Sequence, residues 1–320
     1  MDKKKVVKQM PIKFLLLGGY GEVGKTLARL LLKETSVDII IAGRNKEKAA
    51  EFAATLNQEH NIQRVTSRYA DAAQEESLLS AFNGVNLVIV LTTTPGLIKQ
   101  IGKAALVSGC DYLDILVSET TIHDLSEIAP DIKKENRTFI TQAGFHPGLP
   151  AVFARFGAQY FDTYNKAIIA MAMSAKFKRA DQAKEILDLI SEFSAEIYKN
   201  NSWKNATYKD SIKIDLGSPF GKMPLFPLQM EEMKEIQRRF NLKETGVYVA
   251  GFNWLVDWFI IPIIFIIQKI KKGFLTGFLC KLFTWGVNNF SGEQKGVVFL
   301  NQAEGIKDGK KLEVRIIAKQ

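Results

Sequence analysis

Gly18-Gly19-Tyr20-Gly21-Glu22-Val23-Gly24 decides the fold. Glycines 19, 21 and 24 stand in the spacing Gly-x-Gly-x-x-Gly. They follow the apolar run Ile12–Leu17 and open Val23–Lys33, a stretch with helical spacing. Gly19 permits a tight turn, Gly21 lets a pyrophosphate approach bare backbone, and Gly24 lets helix and strand pack closely. The helix start adds unpaired N–H groups and the positive end of its dipole. The spacing by itself is a weak signal, and its place at a strand–helix junction supplies the context. The bland alternative is a turn that serves packing only.

Moving outward, the first 145 residues alternate between two kinds of segment. Ile12–Leu17, Val37–Ala42, Val65–Tyr69, Leu87–Leu91, Tyr112–Ile115 and Thr138–Thr141 are short, apolar and rich in β-branched residues, and read as buried strands. Val23–Lys33, Lys46–Leu56 and Leu97–Val107 read as helices between them, the first with Val23, Leu27, Leu30 and Leu31 on one face. Such alternation predicts a doubly wound parallel sheet of Rossmann type over residues 1–145.

The end of the second strand reads the cofactor. An enzyme for NAD places Asp or Glu there to hold the ribose hydroxyls. Here Ala42 is followed by Gly43-Arg44-Asn45, and Asp38 lies at the wrong end of the strand. A guanidinium at Arg44 suits a 2′-phosphate, which selects NADP(H); the alternative is an exposed arginine at a helix start. Tyr20, Glu22 and Val23 complete the glycine turn. Thr92, Thr93 and Pro95 follow the fourth strand, where the threonines either hydrogen-bond the cofactor or cap the next helix.

A boundary falls at Phe145-His146-Pro147-Gly148-Leu149-Pro150, with Pro150 in the first turn of a helix through Phe156. Residues 146–320 read as an α+β domain for substrate and dimer contacts. A strand is expected over Ala167–Ala175, a helix over Gln182–Ile197, loops over 200–228 and a charged helix over Glu231–Phe240. Val297–Glu304 and Leu312–Ala318 read as two strands joined by a hairpin through Asp308-Gly309.

Composition narrows the classes. The formal net charge is +9, and its distribution is uneven. Residues 1–150 hold 18 basic against 17 acidic side chains, whereas 151–320 hold 25 against 17. A basic second half suits a membrane surface or an anionic ligand. No nucleic-acid motif accompanies it. Two cysteines, Cys110 and Cys280, are too few for a disulfide framework, and the first residues carry no export signal, so a cytoplasmic protein is expected. No Cys/His spacing fits zinc, and no metal is expected.

With these residues in hand, the chain resembles the saccharopine dehydrogenase-like oxidoreductases. The resemblance rests on Gly19–Gly24, Ala42–Asn45, Asp71 after the third strand, Gly109–Asp114 and Gly144–Pro150. It covers the first 150 residues well and continues more loosely through Gly221, Pro224 and the apolar stretch near 255. It implies an NAD(P)-binding Rossmann domain, with Asp71 among its cofactor-binding positions, followed by a domain that supplies a sheet face and dimer contacts. It leaves the substrate open among carbonyl, imine and enoyl compounds. At His146 relatives more often carry an acid, and they continue past residue 320 into a closing helix.

Of three histidines, His60 and His123 lie in surface segments, and His146 lies at the domain junction where substrate and nicotinamide meet. Hydride transfer needs a proton donor or acceptor near the reacting carbon, and imidazole serves at neutral pH. Tyr112 is the second candidate, and Asp114 either lines the same crevice or caps the next segment. The alternative role for His146 is ordering the Pro-Gly turn.

Residues 246–287 form a hydrophobic segment with a single acid, Asp257, and with Lys269, Lys271 and Lys272 between its two apolar runs. Two readings stand level, with a membrane-spanning helix behind them because Asp257 and Pro262 oppose it. In one, the segment docks on a membrane surface. In the other, it is buried in a homodimer interface or lines a greasy pocket for a hydrophobic substrate. The function these readings converge on is an NADP(H)-dependent oxidoreductase. The rival class is a non-catalytic NADP(H)-binding sensor or membrane-associated adaptor.

Overall fold

The computed structural model describes residues 11–92, 94–116, 119–174, 176–191, 195–292 and 296–320. The chain divides into two compact units, the first ending at Pro147 and the second beginning at Gly148.

The first unit is a parallel six-stranded sheet. Its strands are β1 (Lys13–Leu17), β2 (Asp38–Gly43), β3 (Val65–Tyr69), β4 (Leu87–Val90), β5 (Asp111–Asp114) and β6 (Phe139–Ile140). The helices are α1 (Glu22–Glu34), α2 (Lys46–His60), α3 (Glu75–Phe82), α4 (Ile98–Val107), α5 (Glu119–Glu127) and α6 (Ala129–Lys134). The strand order β3-β2-β1-β4-β5-β6 reverses at β1, the doubly wound arrangement the alternation predicts. Leu15, Leu16, Leu17 and Ile39, Ile40, Ile41 are buried on both sheet faces, which is why these strands are continuous apolar runs. One face packs a core around Phe82, Ile101 and Tyr112, the other a core around Ala28, Phe52 and Leu56.

Helix α1 is rotated from the face its leucines predict: Leu27 and Leu31 pack against the core as expected, but they lie at its edge. Gly24, Ala28 and Leu32 are buried, while Val23 and Leu30 are exposed. The reason is the close approach at Gly24, where a Cβ would stand 2.5 Å from the Gly19 carbonyl oxygen. The small residues set the helix rotation, and the larger apolar ones follow around the flank.

The second unit is built on an eight-stranded mixed sheet. It opens with α7 (Leu149–Ala158), which carries Pro150 in its first turn, and β7 (Thr163–Met173). Then come α8 (Lys184–Ser191), β8 (Glu196–Lys199), β9 (Ser202–Asn205), β10 (Ile212–Asp215) and β11 (Lys222–Leu228). The remainder is α9 (Glu232–Phe240), β12 (Glu244–Ala250), α10 (Ile261–Ile270), α11 (Thr276–Phe290), β13 (Val297–Lys307) and β14 (Lys310–Lys319). The main path is β10-β11-β12-β7-β13-β14, with β8 paired to β12 and β9. Only the β12–β7 pair within it is parallel.

Three expectations change here. Of the helix expected over 182–197, α8 supplies Lys184–Ser191, residues 192–194 lie outside the described residues, and Glu196 and Ile197 belong instead to β8, which pairs with β9 and β12. The stretch 200–228 carries three strands; Met223, Leu225 and Pro227 alternate inward along β11, a period of two masked by the surrounding Gly and Pro. Residues 246–250 are strand β12, so the apolar helical segment begins only after it. The Asp308-Gly309 hairpin is present, with φ of 49° and 73° at its two central residues, as a type I′ turn requires.

The sheet curls until its two ends meet. Arg315 of β14 donates to the carbonyl of Asp215 in β10, and Lys319 Nζ donates to the Ser218 carbonyl at 3.3 Å. Inside lie Ile168, Ala170, Leu225, Tyr248 and Leu300. Among the described residues no helix is long and apolar enough to cross a membrane.

Candidate functional site

Because all six strands of the first unit run parallel, every loop that follows a strand opens on one edge. That edge gathers the glycine turn after β1, Arg44 after β2, Asp71 after β3, Thr92 after β4, Asp114 after β5 and His146 after β6.

The glycine turn is held by its own backbone. Gly19 N–H donates to Leu16 O at 3.0 Å, and Gly21 N–H donates to Gly18 O at 2.9 Å. A Cβ on Gly19 would lie 2.9 Å from the Leu16 carbonyl oxygen, so the turn needs glycine there. Gly21 is the N-cap of α1 with no side chain over it, and Gly21 and Glu22 are exposed. The first intrahelical donor to Gly21 is Lys25 N–H, at 2.8 Å, so the three preceding N–H groups form the open helix start. Val23 is exposed beside them, and Glu22 pairs loosely with Lys25 at 3.7 Å. This bare backbone, capped by a dipole's positive end, fits a pyrophosphate.

Tyr20 reaches sideways. Its ring lies so near Gly43 that a Cβ there would stand 2.6 Å from it, and its hydroxyl accepts from Asn45 N–H at 3.2 Å. Asn45 in turn accepts from Lys48 N–H at 2.7 Å and caps α2. Asn45 is therefore a cap whose side chain is committed locally, and Tyr20 joins the two loops. Arg44 between them is exposed and forms no ion pair among the described residues. Lys46 Nζ sits 5.1 Å from the centre of the Tyr69 ring, adding a second cation to this corner. Asp38 pairs with Lys13 at the opposite end of β2.

Asp71 is at the edge but engaged locally. Its carboxylate accepts from Ala73 N–H at 3.0 Å and from Gln74 Nε2 at 3.4 Å, shaping the entry to α3. Thr92 packs against Gly18, whose Cβ would stand 2.7 Å from its methyl group, and its hydroxyl bonds that of Thr94 at 2.9 Å. Pro95 opens a short 3-10 turn before α4, and Thr93 lies outside the described residues.

Tyr112 is a core residue, contrary to its expected catalytic use. It is fully buried, stacked on Phe139 with ring centroids 5.1 Å apart. Its hydroxyl donates to Asp114 Oδ2 at 2.9 Å. Burial, reinforced by the Asp114 charge, pushes the phenol far above its ordinary range. A proton so held is closed to substrate. Asp114 is the hub of this corner: its other oxygen accepts from Leu116 N–H at 3.0 Å and Gln142 N–H at 3.1 Å.

That hub anchors the loop that presents His146. Ala143 N–H donates to Asp114 O at 2.8 Å, and Gly144 N–H donates to Pro147 O at 3.0 Å across the cis His146–Pro147 bond. The imidazole is half-buried beside Phe145, with ring centroids 5.5 Å apart. Burial draws its pKa below the ordinary value. In the strand order β2 and β6 lie on opposite sides of β1, with β6 three strands away, roughly 14 Å at the ~4.8 Å strand spacing. Arg44 and His146 therefore flank the glycine turn from two sides. His60 and His123 are exposed on helices α2 and α5.

In the second unit, Glu232 escaped sequence reasoning. It accepts from Gly148 N–H at 2.9 Å and from Ala151 N–H at 3.4 Å, capping α7 from the start of α9. Burial raises its pKa, and those two N–H groups oppose the rise. An acid 84 positions from its partner leaves no local signal.

This edge defines a dinucleotide-binding Rossmann domain of the kind found in NAD(P)-dependent oxidoreductases. Residues 14–141 belong to the saccharopine dehydrogenase NADP binding domain family. A carboxynorspermidine synthase from Vibrio cholerae is 27% identical over 44% of this chain and 38% of its own length. The match thus takes in well under two thirds of that relative. Apo saccharopine dehydrogenase (L-Glu forming) from Saccharomyces cerevisiae shares the fold, with a TM-score of 0.66 at 13% identity, over 96% of this chain and 85% of that one.

Proposed function

We propose that the chain is an NADP(H)-dependent oxidoreductase of the saccharopine dehydrogenase-like group. Its substrate class is a carbonyl, imine or enoyl compound, or the reduced partner of one. The observation that carries this reading is the open glycine turn with Arg44 exposed and without an ion pair among the described residues, at a strand end that lacks an acid. The turn and the α1 start would hold the pyrophosphate, and Arg44, with Lys46 near, would pair a 2′-phosphate. When bound, the nicotinamide supplies or takes up a hydride.

The proton is left to His146. A neutral imidazole accepts the proton that leaves an alcohol or amine during oxidation, and the imidazolium returns it in the reverse direction. The lowered pKa favours the neutral form at pH 7. Thr92 beside Gly18 adds a hydroxyl near the turn.

Two experiments test the reading. Fluorescence titration with NADPH and NADH should show tighter NADPH binding, and Arg44→Ala should remove most of that preference. NADPH oxidation should then be followed with pools of carbonyl, imine and enoyl substrates, with His146→Gln lowering turnover by about 10²-fold or more. Failure to bind either nucleotide defeats the proposal. Tight binding without consumption across all pools favours a sensor.

A further inference from the structure

Twelve of the twenty-four large apolar side chains exposed among the described residues lie between 254 and 290. They stand on α10, α11, the turn joining them and the helical residues 254–260 that lead into α10. The inner face of this hairpin is well packed. Val256, Ile260 and Ile264 meet Leu279, Phe283 and Val287, with Leu187 of α8 beside them. Gly286 allows the approach: a Cβ there would stand 2.5 Å from Ile260 Cδ1. Gln268 fixes the turn, accepting from Gly273 N–H at 2.8 Å and donating to Phe274 O at 3.0 Å. Asn253 caps the first helix and donates to Gly286 O at 3.2 Å. The apolar outer face is thus a second face on an ordered element.

That outer face has a particular chemistry. Trp254, Phe259, Phe290 and Trp285 form a chain of ring contacts, with centroids 5.2 to 6.1 Å apart, linking the start of the first helix to the end of the second. Trp258 is 60% exposed and Ile270 80%. The cations are all lysines: Lys269, whose ammonium lies 5.8 Å from the Phe265 ring centre, then Lys271, Lys272 and Lys281, all exposed. Residues 246–287 contain one acid, Asp257, and it is turned inward. Its carboxylate accepts from Phe252 N–H at 2.9 Å and lies against Gly251. The exposed face therefore carries positive charge and no negative charge.

We propose that the outer face of the α10–α11 hairpin docks this protein on an anionic phospholipid bilayer, its helices lying in the interfacial plane. Tryptophan and phenylalanine suit the headgroup–acyl boundary, and lysines there meet anionic headgroups. Residues 254–270 extend about 25 Å as a helix, short of the ~30 Å hydrocarbon core, so the hairpin lies on the membrane. A second copy of the chain fits less well. Protein interfaces are depleted in lysine and favour arginine, and a two-fold contact sets each patch against itself. The proposal does not depend on the cofactor reading.

The test is co-sedimentation of the full chain with two kinds of vesicle, pure phosphatidylcholine and phosphatidylcholine mixed with phosphatidylserine. Expected is binding to the mixed vesicles at least roughly tenfold tighter than to the pure ones, weakened by salt, with a blue shift in tryptophan emission. Trp258→Ser with Phe278→Ser should abolish binding to the mixed vesicles. Lys269→Glu with Lys271→Glu should erase the preference for phosphatidylserine. An unchanged melting temperature would show that these surface variants are folded. Absence of binding to mixed vesicles at low salt overturns the proposal. So does a stable dimer that Trp258→Ser dissociates, which assigns the face to a second copy.

Discussion

The Tyr20 hydroxyl accepts a hydrogen bond from Asn45 N–H at 3.2 Å, tying the glycine turn to the segment that carries Arg44. Tyr20→Phe keeps the ring against Gly43 and removes only this acceptor. One such bond contributes about 1 kcal/mol, or about fivefold in affinity. NADPH should bind about fivefold more weakly to the variant, with NADH much less affected. Equal weakening of both nucleotides would mean that the hydroxyl supports the turn and not the placement of Arg44.

Two glycines of the same turn should separate fold from binding. A Cβ on Gly24 meets Gly19 backbone atoms at 2.5 to 2.6 Å, whereas one on Gly21 meets only the Gly18 oxygen, at 3.2 Å. Gly24→Ala must push the helix from the strand, and should cost roughly 2–4 kcal/mol in urea unfolding. Gly21→Ala should cost under about 1 kcal/mol yet reduce dinucleotide affinity at least about tenfold, because its methyl group covers the phosphate approach. Equal stability losses would show that the turn has no special opening at Gly21.

Tyr112→Phe distinguishes a core tyrosine from a catalytic one. The change removes the bond to Asp114 and little else, so stability should fall by about 1 kcal/mol. Turnover, once a substrate is in hand, should stay within about twofold of wild type. Asp114→Ala should be much harsher, about 3 kcal/mol or more, since it strands a buried N–H group, a half-buried one and the buried phenol. A large loss of turnover in Tyr112→Phe with unchanged melting temperature would restore the tyrosine to the chemistry.

Asp257 gives the second unit a pH dependence of definite sign. Burial raises its pKa from 3.8 to about 6, against the pull of the Phe252 and Asn253 N–H groups. The folded state therefore holds the proton more tightly than the unfolded chain. Stability from this group is fully present below pH 3.8 and is lost as pH rises towards 6. The whole effect is about 3 kcal/mol at about 1.4 kcal/mol per pH unit. Asp257→Asn should flatten the difference between melting curves at pH 5 and pH 7, raising stability at the higher pH. A variant with the wild-type slope would place the titration elsewhere.

The first unit was legible because its strands are buried on both faces. Val65–Tyr69 begins and ends where the sequence indicates, and the other five strands do so to within a residue or two. The glycine turn was legible for a related reason: each glycine answers a local steric demand. What escaped depended on distance. Periodicity put Val23 and Leu30 inward, but contact between Gly24 and Gly19 rotates α1. Tyr112 looked like a strand-end tyrosine near a crevice, and only packing against Phe139 and the bond to Asp114 show it belongs to the core. Prolines and glycines over 200–228 hid three strands whose order comes from their neighbours. Glu232 finds its partner at Gly148 through the tertiary fold alone.

The closing of the second sheet has a colloidal consequence. An open sheet offers two rows of unmatched backbone donors and acceptors, each an invitation to strands from other molecules. Along the main path of this sheet, one row belongs to β10, four residues long, and the other to β14, studded with Lys310, Lys311, Arg315 and Lys319, while the branch through β8 ends at the four-residue β9. Arg315 and Lys319 turn from β14 to the carbonyls of Asp215 and Ser218, so the two rows guard each other. An intruding strand would have to displace those side chains and lie along a strand with four cations and one acid, Glu313. Neutralising Arg315 and Lys319 should therefore show first in shelf life, as slow aggregation of protein that is still folded.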